Sequence, residues 1–194
     1  MSQLLGWLSG GDLRSDGMAN EAAEFVLQNP DLVDDLFAGL RESDDVIRGR
    51  TADALEKVAR ARPDLLVDRL GELIAVVESD KLPTVRWHVA MILGHLACYE
   101  EVVDQVTPTL LGLLEDGSVF VRSWAIVSLC VIGRKYPGWN EQIVNQVGPL
   151  HADPSVAIRS KARKAVNLLT DETVSFLGGW IKSKHLNTLQ GECS

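Results

Sequence analysis

The histidines of this chain are the residues whose type could hold a metal ion, and their spacing does not favour a site. His88 and His95 lie seven residues apart. On one helix this spacing puts both rings on the same side but about 10 Å apart along the axis, which is too far for one ion without a third ligand between them. Met91 lies midway, but its thioether is a poor ligand for a hard cation. We therefore expect histidines of a core or groove, with no metal and no other cofactor.

The cysteines do not indicate redox or disulfide chemistry. Cys98, Cys130 and Cys193 are far apart, odd in number and form no C-x-x-C pair. This pattern fits a reducing compartment. The amino-terminal residues lack the basic start and long apolar stretch of a signal peptide, and the longest nearly apolar run, 124–133, is too short to cross a bilayer. The sequence thus predicts a cytoplasmic protein with no membrane partner.

Composition and motifs also argue against catalysis. The sequence contains no G-x-S-x-G, phosphate-binding loop, G-x-G-x-x-G or H-E-x-x-H pattern. With 194 residues, 46% hydrophobic and 24% charged, the chain resembles an ordinary globular protein with one core. Its formal net charge of -8 argues against nucleic acid as a partner, because proteins that bind phosphates usually have a basic balance. We expect a protein that is not an enzyme.

An internal repeat indicates which elements must position these residues. Four arginines, each directly after a β-branched residue, recur at intervals of 38, 36 and 37 residues; they are Arg48, Arg86, Arg122 and Arg159. Apolar residues follow seven and ten positions later, which places them on one helical face. A turn precedes each arginine, and a further helical pattern precedes each turn, over 31–40, 64–77, 102–114 and 141–150. Each unit is therefore helix, loop, helix, and stacked copies bury faces that neither helix could bury alone.

These features resemble the HEAT repeat, an armadillo-like helical family. The resemblance rests on the Asp/Pro/Ser turn, the β-branched residue followed by arginine, and prolines such as Pro108 and Pro149 in or ending the first helices. It implies an all-α fold, an α-solenoid of antiparallel helix pairs with about four to five repeats in a right-handed superhelix. It also implies that the four arginines form a structural ladder that links adjacent repeats through loop acids and carbonyls. A phosphate-binding ladder is the alternative.

The repeat predicts a single domain over 1–194. Its successive units are 18–43, 44–78, 79–115, 116–150 and 151–185. Residues 1–17 are expected to be irregular or to cap the first repeat, and 186–194 to form a tail. Asp171–Lys184 is expected to be a lone terminal helix, because acids lie near its start and lysines near its end.

In each unit the second helix is the one that carries the repeat arginine. The second helices of the two middle units, 85–98 and 121–134, are apolar nearly all round, whereas those of the flanking units, 47–60 and 158–171, carry charged residues opposite the core. An apolar face of this kind is either packed or exposed for a purpose. The second helices of a solenoid line its concave surface, so the sequence predicts a partner-binding floor. Its residues are Trp87, His88, Met91, His95, Trp124, Val127 and Val131. Packing of these side chains against neighbouring helices is the alternative.

The sequence therefore predicts a non-catalytic scaffold that binds another protein through its concave surface. The alternative is a nucleic-acid-binding or DNA-repair module related to HEAT-like alkylpurine DNA glycosylases, because Asp53 and Asp171 point the same way from helices that flank Trp87 and Trp124. Against it, the groove has few basic residues. Two other enzyme groups share the architecture, but the chain has no His-Glu dipeptide of deoxyhypusine hydroxylases and no motif that singles out phycobilin lyases.

Charge is segregated along the chain. Residues 18–45 hold eight acids and one base, and residues 156–185 hold six bases and two acids. Oppositely charged ends could stack head to tail in a homo-oligomer, or they could be two ordinary solvated caps.

Overall fold

The repeat pattern predicts helices throughout, and the structure contains helices and no strand over the residues that it describes. The computed structural model describes residues 2–190, apart from the side chains of residues 187, 188 and 190. The α-helices are α1 Gln3–Leu8, α2 Ala19–Gln28, α3 Val33–Gly39, α4 Asp45–Ala61, α5 Asp64–Val67, α6 Leu70–Ser79, α7 Pro83–Leu96, α8 Val103–Gly112, α9 Val119–Lys135, α10 Pro137–Val147 and α11 Val156–Thr170. Short 3-10 helices add Pro30–Leu32, Glu100–Val102, Leu113–Glu115, Gly148–Ala152 and Lys184–Gln190. The predicted all-α fold is confirmed.

Each long helix that carries a repeat arginine follows a shorter, more irregular partner. We call α2, α4, α7, α9 and α11 the second helices. Within its own unit, α4 packs on α2 and α3, and α9 packs on α8, α10 and α11. The chain forms two compact units, and the division falls after Ile92, inside α7. No described helix has the length and apolar character that a bilayer span requires.

The first helices differ in detail from the sequence pattern. The stretch 64–77 forms two helices, α5 and α6, instead of one. The stretch 141–150 starts earlier, at Pro137, where a missing N–H costs no helical hydrogen bond, and it ends in a 3-10 turn. The buried side of the second helices follows the repeat closely, since Leu55, Leu93 and Leu129, each seven residues after an arginine, are fully buried.

The four repeat arginines occupy equivalent turns. Each donates from Nη1 to the backbone carbonyl six residues before it. The pairs are Arg48 with Glu42, Arg86 with Asp80, Arg122 with Asp116 and Arg159 with Asp153, at 2.6–2.9 Å. Arg48 and Arg122 also reach the carboxylate of the following turn, from Arg48 Nε to Asp80 at 2.9 Å and from Arg122 Nη2 to Asp153 at 3.3 Å. At these positions the arginine links one repeat to the next.

The amino-terminal segment 1–17, predicted to be irregular or to cap the first repeat, contains a short helix. Residues 3–8 form α1, whose start is capped by the Ser2 hydroxyl as it accepts from Leu5 N–H at 3.4 Å. Leu4, Leu5 and Leu8 are buried where α1 packs on α2, α3 and α4. Apolar burial thus stabilises a helix that is too short to form alone.

The predicted terminal helix over Asp171–Lys184 is wrong. Residues 171–183 form turns and extended chain, which we call the C-terminal segment. Gly179 has φ of 81°, a backbone conformation that does not continue a right-handed helix. Of the predicted tail, 186–190 belongs to the last 3-10 helix, and Cys193 lies outside the described residues.

Candidate functional site

The predicted floor is largely buried. Met91, His95, Val127 and Val131 are each 6% exposed or less. Trp87, His88 and Trp124 remain partly exposed. Within its own unit, each of these three side chains can therefore be reached from outside, while the other predicted residues are packed below the surface. Trp87 and Trp124 belong to different compact units, and each has its own neighbours.

Trp87 lies beside a polar cluster in its unit. Its ring is 5.4 Å from that of His88, centroid to centroid. His88 Nδ1 lies 2.9 Å from the Thr84 carbonyl, and Nε2 lies 3.4 Å from Asp53 Oδ1. The same carboxylate oxygen of Asp53 accepts from Lys57 Nζ at 2.6 Å. The carboxylate is thus held by two neighbours on the second-helix surface.

The charge of Asp53 is stabilised by these neighbours. Burial acts to raise the pKa of Asp53, but hydrogen bonds from His88 and Lys57 outweigh it and hold the pKa below its ordinary value. A general base needs a pKa near the working pH and access to a proton. A carboxylate that is ionised and already paired is better suited to positioning His88 than to catalysis.

Trp124 lies among ammonium groups in the other unit. Lys161 Nζ is 5.3 Å and Lys182 Nζ is 4.7 Å from the centroid of the Trp124 ring. Lys161 Nζ is also 5.7 Å from the Trp180 ring. These distances fit cation–π contacts. Since Lys182 and Trp180 belong to the C-terminal segment, that segment covers part of the predicted floor.

Burial shifts the pKa of Lys161 and that of its neighbour Cys130. Desolvation lowers the pKa of Lys161, and its neighbour Lys164 acts in the same direction, while Cys130 opposes them. Desolvation raises the pKa of the buried Cys130 thiol well above its ordinary value. A thiol held protonated is a poor nucleophile and a poor metal ligand. Cys130 is therefore a packing residue.

Arg50 is a structural residue that the sequence analysis missed. It is buried on α4 and donates to the carbonyls of Leu8, Ser9, Gly10, Asp12 and Ser15, at 2.7–3.4 Å. Gly17, with φ of 55°, leaves room for the guanidinium, because a Cβ there would lie 2.6 Å from Arg50 Cζ. The glycines of this loop, Gly10, Gly11 and Gly17, could have indicated a tight backbone turn. Nothing in the sequence shows that the turn folds around Arg50.

Arg134 holds the C-terminal segment in a similar way. Its Nη1 donates to the carbonyls of Leu168 at 2.5 Å and Asp171 at 3.1 Å. Its Nη2 donates to the carbonyls of Glu172 and Val174. The carbonyls of residues 171, 172 and 174 therefore accept from Arg134, which favours the end of α11 at Thr170.

The DNA-repair alternative names two carboxylates, Asp53 and Asp171, and Asp171 is the first residue of the C-terminal segment. Asp171 is exposed, and its side chain accepts from the backbone N–H and the hydroxyl of Thr173. These hydrogen bonds lower the pKa of Asp171. Over residues 2–190, no group of three or more His, Cys, Asp or Glu side chains is arranged to hold a metal ion.

Comparison with known proteins identifies the fold. No protein-family model and no curated protein matches the sequence. A chain in the complex of CpcE and CpcF of phycocyanin lyase from Nostoc sp. PCC7120 is similar, with a TM-score of 0.67 and 22% identity over 84% of this chain and 95% of that one. A computationally designed armadillo repeat protein for modular peptide recognition has a TM-score of 0.64 and 15% identity, over 84% of this chain and 79% of its own.

A designed armadillo repeat protein in complex with the peptide (KR)4 is also similar. Its TM-score is 0.57 at 16% identity, over 86% of this chain and 80% of that one. The chain thus has the α-solenoid fold of HEAT and armadillo-like repeat proteins, which confirms the resemblance inferred from its repeated arginine motif.

Proposed function

We propose that the protein is a non-catalytic scaffold that binds another protein, with Trp87 and Trp124 as anchors on its second helices. The observation that carries the proposal is the partial exposure of both indole rings, whereas the other apolar residues of the predicted floor, Met91, Val127 and Val131, are buried. Tryptophan is enriched among the few residues that supply most of the binding energy of protein interfaces. The odd and scattered cysteines favour the cytoplasm as the compartment.

The similar structures support a protein or peptide as the partner. One is part of a complex of two proteins, and another is bound to a peptide. Charge argues against nucleic acid, since residues 1–92 hold 17 acids and 10 bases, and residues 93–194 hold 10 acids and 9 bases. Neither half has the basic excess typical of phosphate recognition.

The surroundings of Trp124 suggest what a partner would offer there. Lys161 and Lys182 lie over its ring, so a partner that reaches the indole also meets two ammonium groups. Carboxylates on the partner would pair with them, although exposed ion pairs of this kind give more to specificity and association rate than to affinity.

The test is affinity capture from the native cytoplasm with matched tryptophan variants. Trp87→Ala and Trp124→Ala should each stay folded and weaken partner binding by about 2 kcal/mol, roughly 30-fold. Trp139→Ala is the control, because Trp139 is also partly exposed but lies on α10, a first helix. If all three variants bind the partner as the wild type does, the anchors lie elsewhere.

A lyase is the second candidate function. It is favoured by the match to a chain of the phycocyanin lyase complex, of which 95% is covered. If the purified protein binds and modifies phycocyanin, the scaffold proposal fails in its non-catalytic part.

If capture instead recovers DNA or RNA whose binding weakens steeply with salt, the nucleic-acid alternative replaces the protein partner.

A further inference from the structure

The last second helix presents a basic, partly apolar face away from its core. Arg163 and Lys164 are exposed on α11 and make no ion pair with any residue between 2 and 190. Val156, at the start of the helix, is 68% exposed. A cleft of about 490 Å³ runs between α11 and the turn Gly148–Ala152, and Arg163, Asn167 and Val166 line it. We call this surface the α11 end face.

Among the residues that the structure describes, no helix covers the end face in the way that the terminal repeats of a solenoid need. Each helix pair buries its apolar side on the next pair, so a terminal pair requires a polar cap or a partner. The C-terminal segment does not supply a cap helix, because residues 171–183 are not helical; the segment lies along Trp124 and Arg134 and borders α11 beside Lys164, Asn167 and Leu168. Val166, the counterpart of the fully buried Leu93 and Leu129, is only partly buried and borders the cleft.

The second helix at the other end of the chain has the opposite charge. Glu21 and Glu24 are exposed one turn apart on α2, and they too form no ion pair with the residues that the structure describes. Met18, directly before the helix, is 41% exposed. We call this surface the α2 face. It combines carboxylates with exposed apolar area, as the α11 end face combines basic groups with exposed apolar area.

We propose that the α11 end face binds the α2 face of a second copy of this chain, so that copies join head to tail. Helix-on-helix stacking is the contact on which the fold already depends, and the charges on the two faces are complementary. The two faces differ, so the contact is heterologous and leads to open chains or to a closed ring. Exposed ion pairs are individually weak and screened by salt, so the association is reversible and strongest at low ionic strength.

The first measurement is sedimentation of the wild-type protein over a range of concentrations. At low salt its average mass should rise with concentration. It should return to that of a monomer near 1 M NaCl, where the Debye length is about 3 Å. A wild-type protein that stays monomeric at low salt at every concentration would overturn the proposal.

Charge reversal then identifies the faces. Glu21→Lys/Glu24→Lys makes the α2 face basic, and Arg163→Glu/Lys164→Glu makes the α11 end face acidic. Each double variant alone has two ends of like charge and should remain monomeric. A mixture of the two variants should associate again, because each end then finds an end of opposite charge. Failure of the mixture to associate would contradict the head-to-tail contact even if the wild type self-associates.

A matched control separates this contact from a general effect of net charge. Glu100→Lys/Glu101→Lys changes the net charge as much as the α2 variant does, at exposed positions outside both faces. This control should self-associate as the wild type does, and loss of association in it would contradict the assignment to the two faces. Both end variants keep Trp87 and Trp124, so partner capture tests the proposed function independently of this proposal.

Discussion

At the scale of residues, two arginines hold the terminal segments, each within its own unit. Arg50 and Arg134 project from second helices and donate to clusters of backbone carbonyls. A guanidinium has five N–H donors in a fixed plane and stays charged, so it can satisfy several carbonyls that would otherwise be buried without partners. The sequence shows these arginines as charged helix residues and does not show the chain segments that fold over them.

The neighbours of Asp53 predict how stability depends on pH. Its pKa in the folded protein lies below the ordinary value of 3.8, so its contribution is fully present above that value and is lost as the pH falls through the folded pKa. Asp53→Asn should cost about 1 kcal/mol near neutral pH. Its melting temperature should also fall less steeply than that of the wild type between about pH 5 and pH 3. Thermal melts across this range check the prediction.

Asp31→Asn is the control, because the Asp31 side chain is exposed and makes no hydrogen bond to the residues that the structure describes. It should follow the wild-type profile. A parallel pH profile for Asp53→Asn would show that the contacts of Asp53 with His88 and Lys57 are too weak in solution to shift its titration.

At the scale of elements, local signals account for the parts of the fold that the sequence predicts well. Two second helices, α4 and α9, begin after capping side chains: Asp44 accepts from the N–H groups of Val46 and Ile47, and Ser118 accepts from that of Val121. The terminal helix fails because its start depends on a distant residue, Arg134, which withdraws the carbonyls from helical bonding. Only the glycines at 178 and 179 signal this locally.

Four of the seven predicted floor residues, Met91, His95, Val127 and Val131, are buried, and a helical wheel does not show this because it describes one helix without its lateral neighbours. Gly94 lies on the side of α7 that the wheel places opposite the core, yet it packs against Ser128 of α9. Side-by-side contacts of this kind widen the apolar stripe that a second helix needs. They explain why apolar residues at such positions, such as Val127, are buried.

The contact at Gly94 gives a prediction of opposite effects for the same substitution. A Cβ at Gly94 would lie 3.2 Å from Ser128 Cα and closer still to its side chain, so Gly94→Ala should destabilise the protein by about 1–3 kcal/mol. Gly71 in α6 has nothing within 4 Å of its added Cβ, so Gly71→Ala should be neutral or stabilise by up to about 1 kcal/mol. Chemical denaturation of both variants tests the pair, and equal effects would mean that α7 and α9 are not in close contact here.

At the scale of the whole molecule, the repeat determines the fold and leaves function to what differs between repeats. Two residues after each ladder arginine, successive repeats place Arg50, His88, Trp124 and Lys161. The first binds loop carbonyls, the second an aspartate, and the last two stack on each other. The period predicts where such side chains lie, whereas the role of each depends on which neighbouring residue it contacts. Fold was therefore more predictable than site.

Neighbour coupling in a repeat protein predicts how far a core defect spreads. Leu93 is fully buried in α7, and Leu93→Ala should cost about 2–5 kcal/mol because a cavity forms. In a chain of stacked pairs, stability is a sum of repeat and interface terms, so the loss should extend to the following repeat. Hydrogen exchange should thus become faster in α9 as well as in α7.

Phe120→Ala is the control, since Phe120 is 62% exposed, and it should leave exchange in the centre of α9 unchanged. Faster exchange confined to α7 would show that the repeats unfold independently, and an unchanged melting temperature for Leu93→Ala would contradict its place in the core.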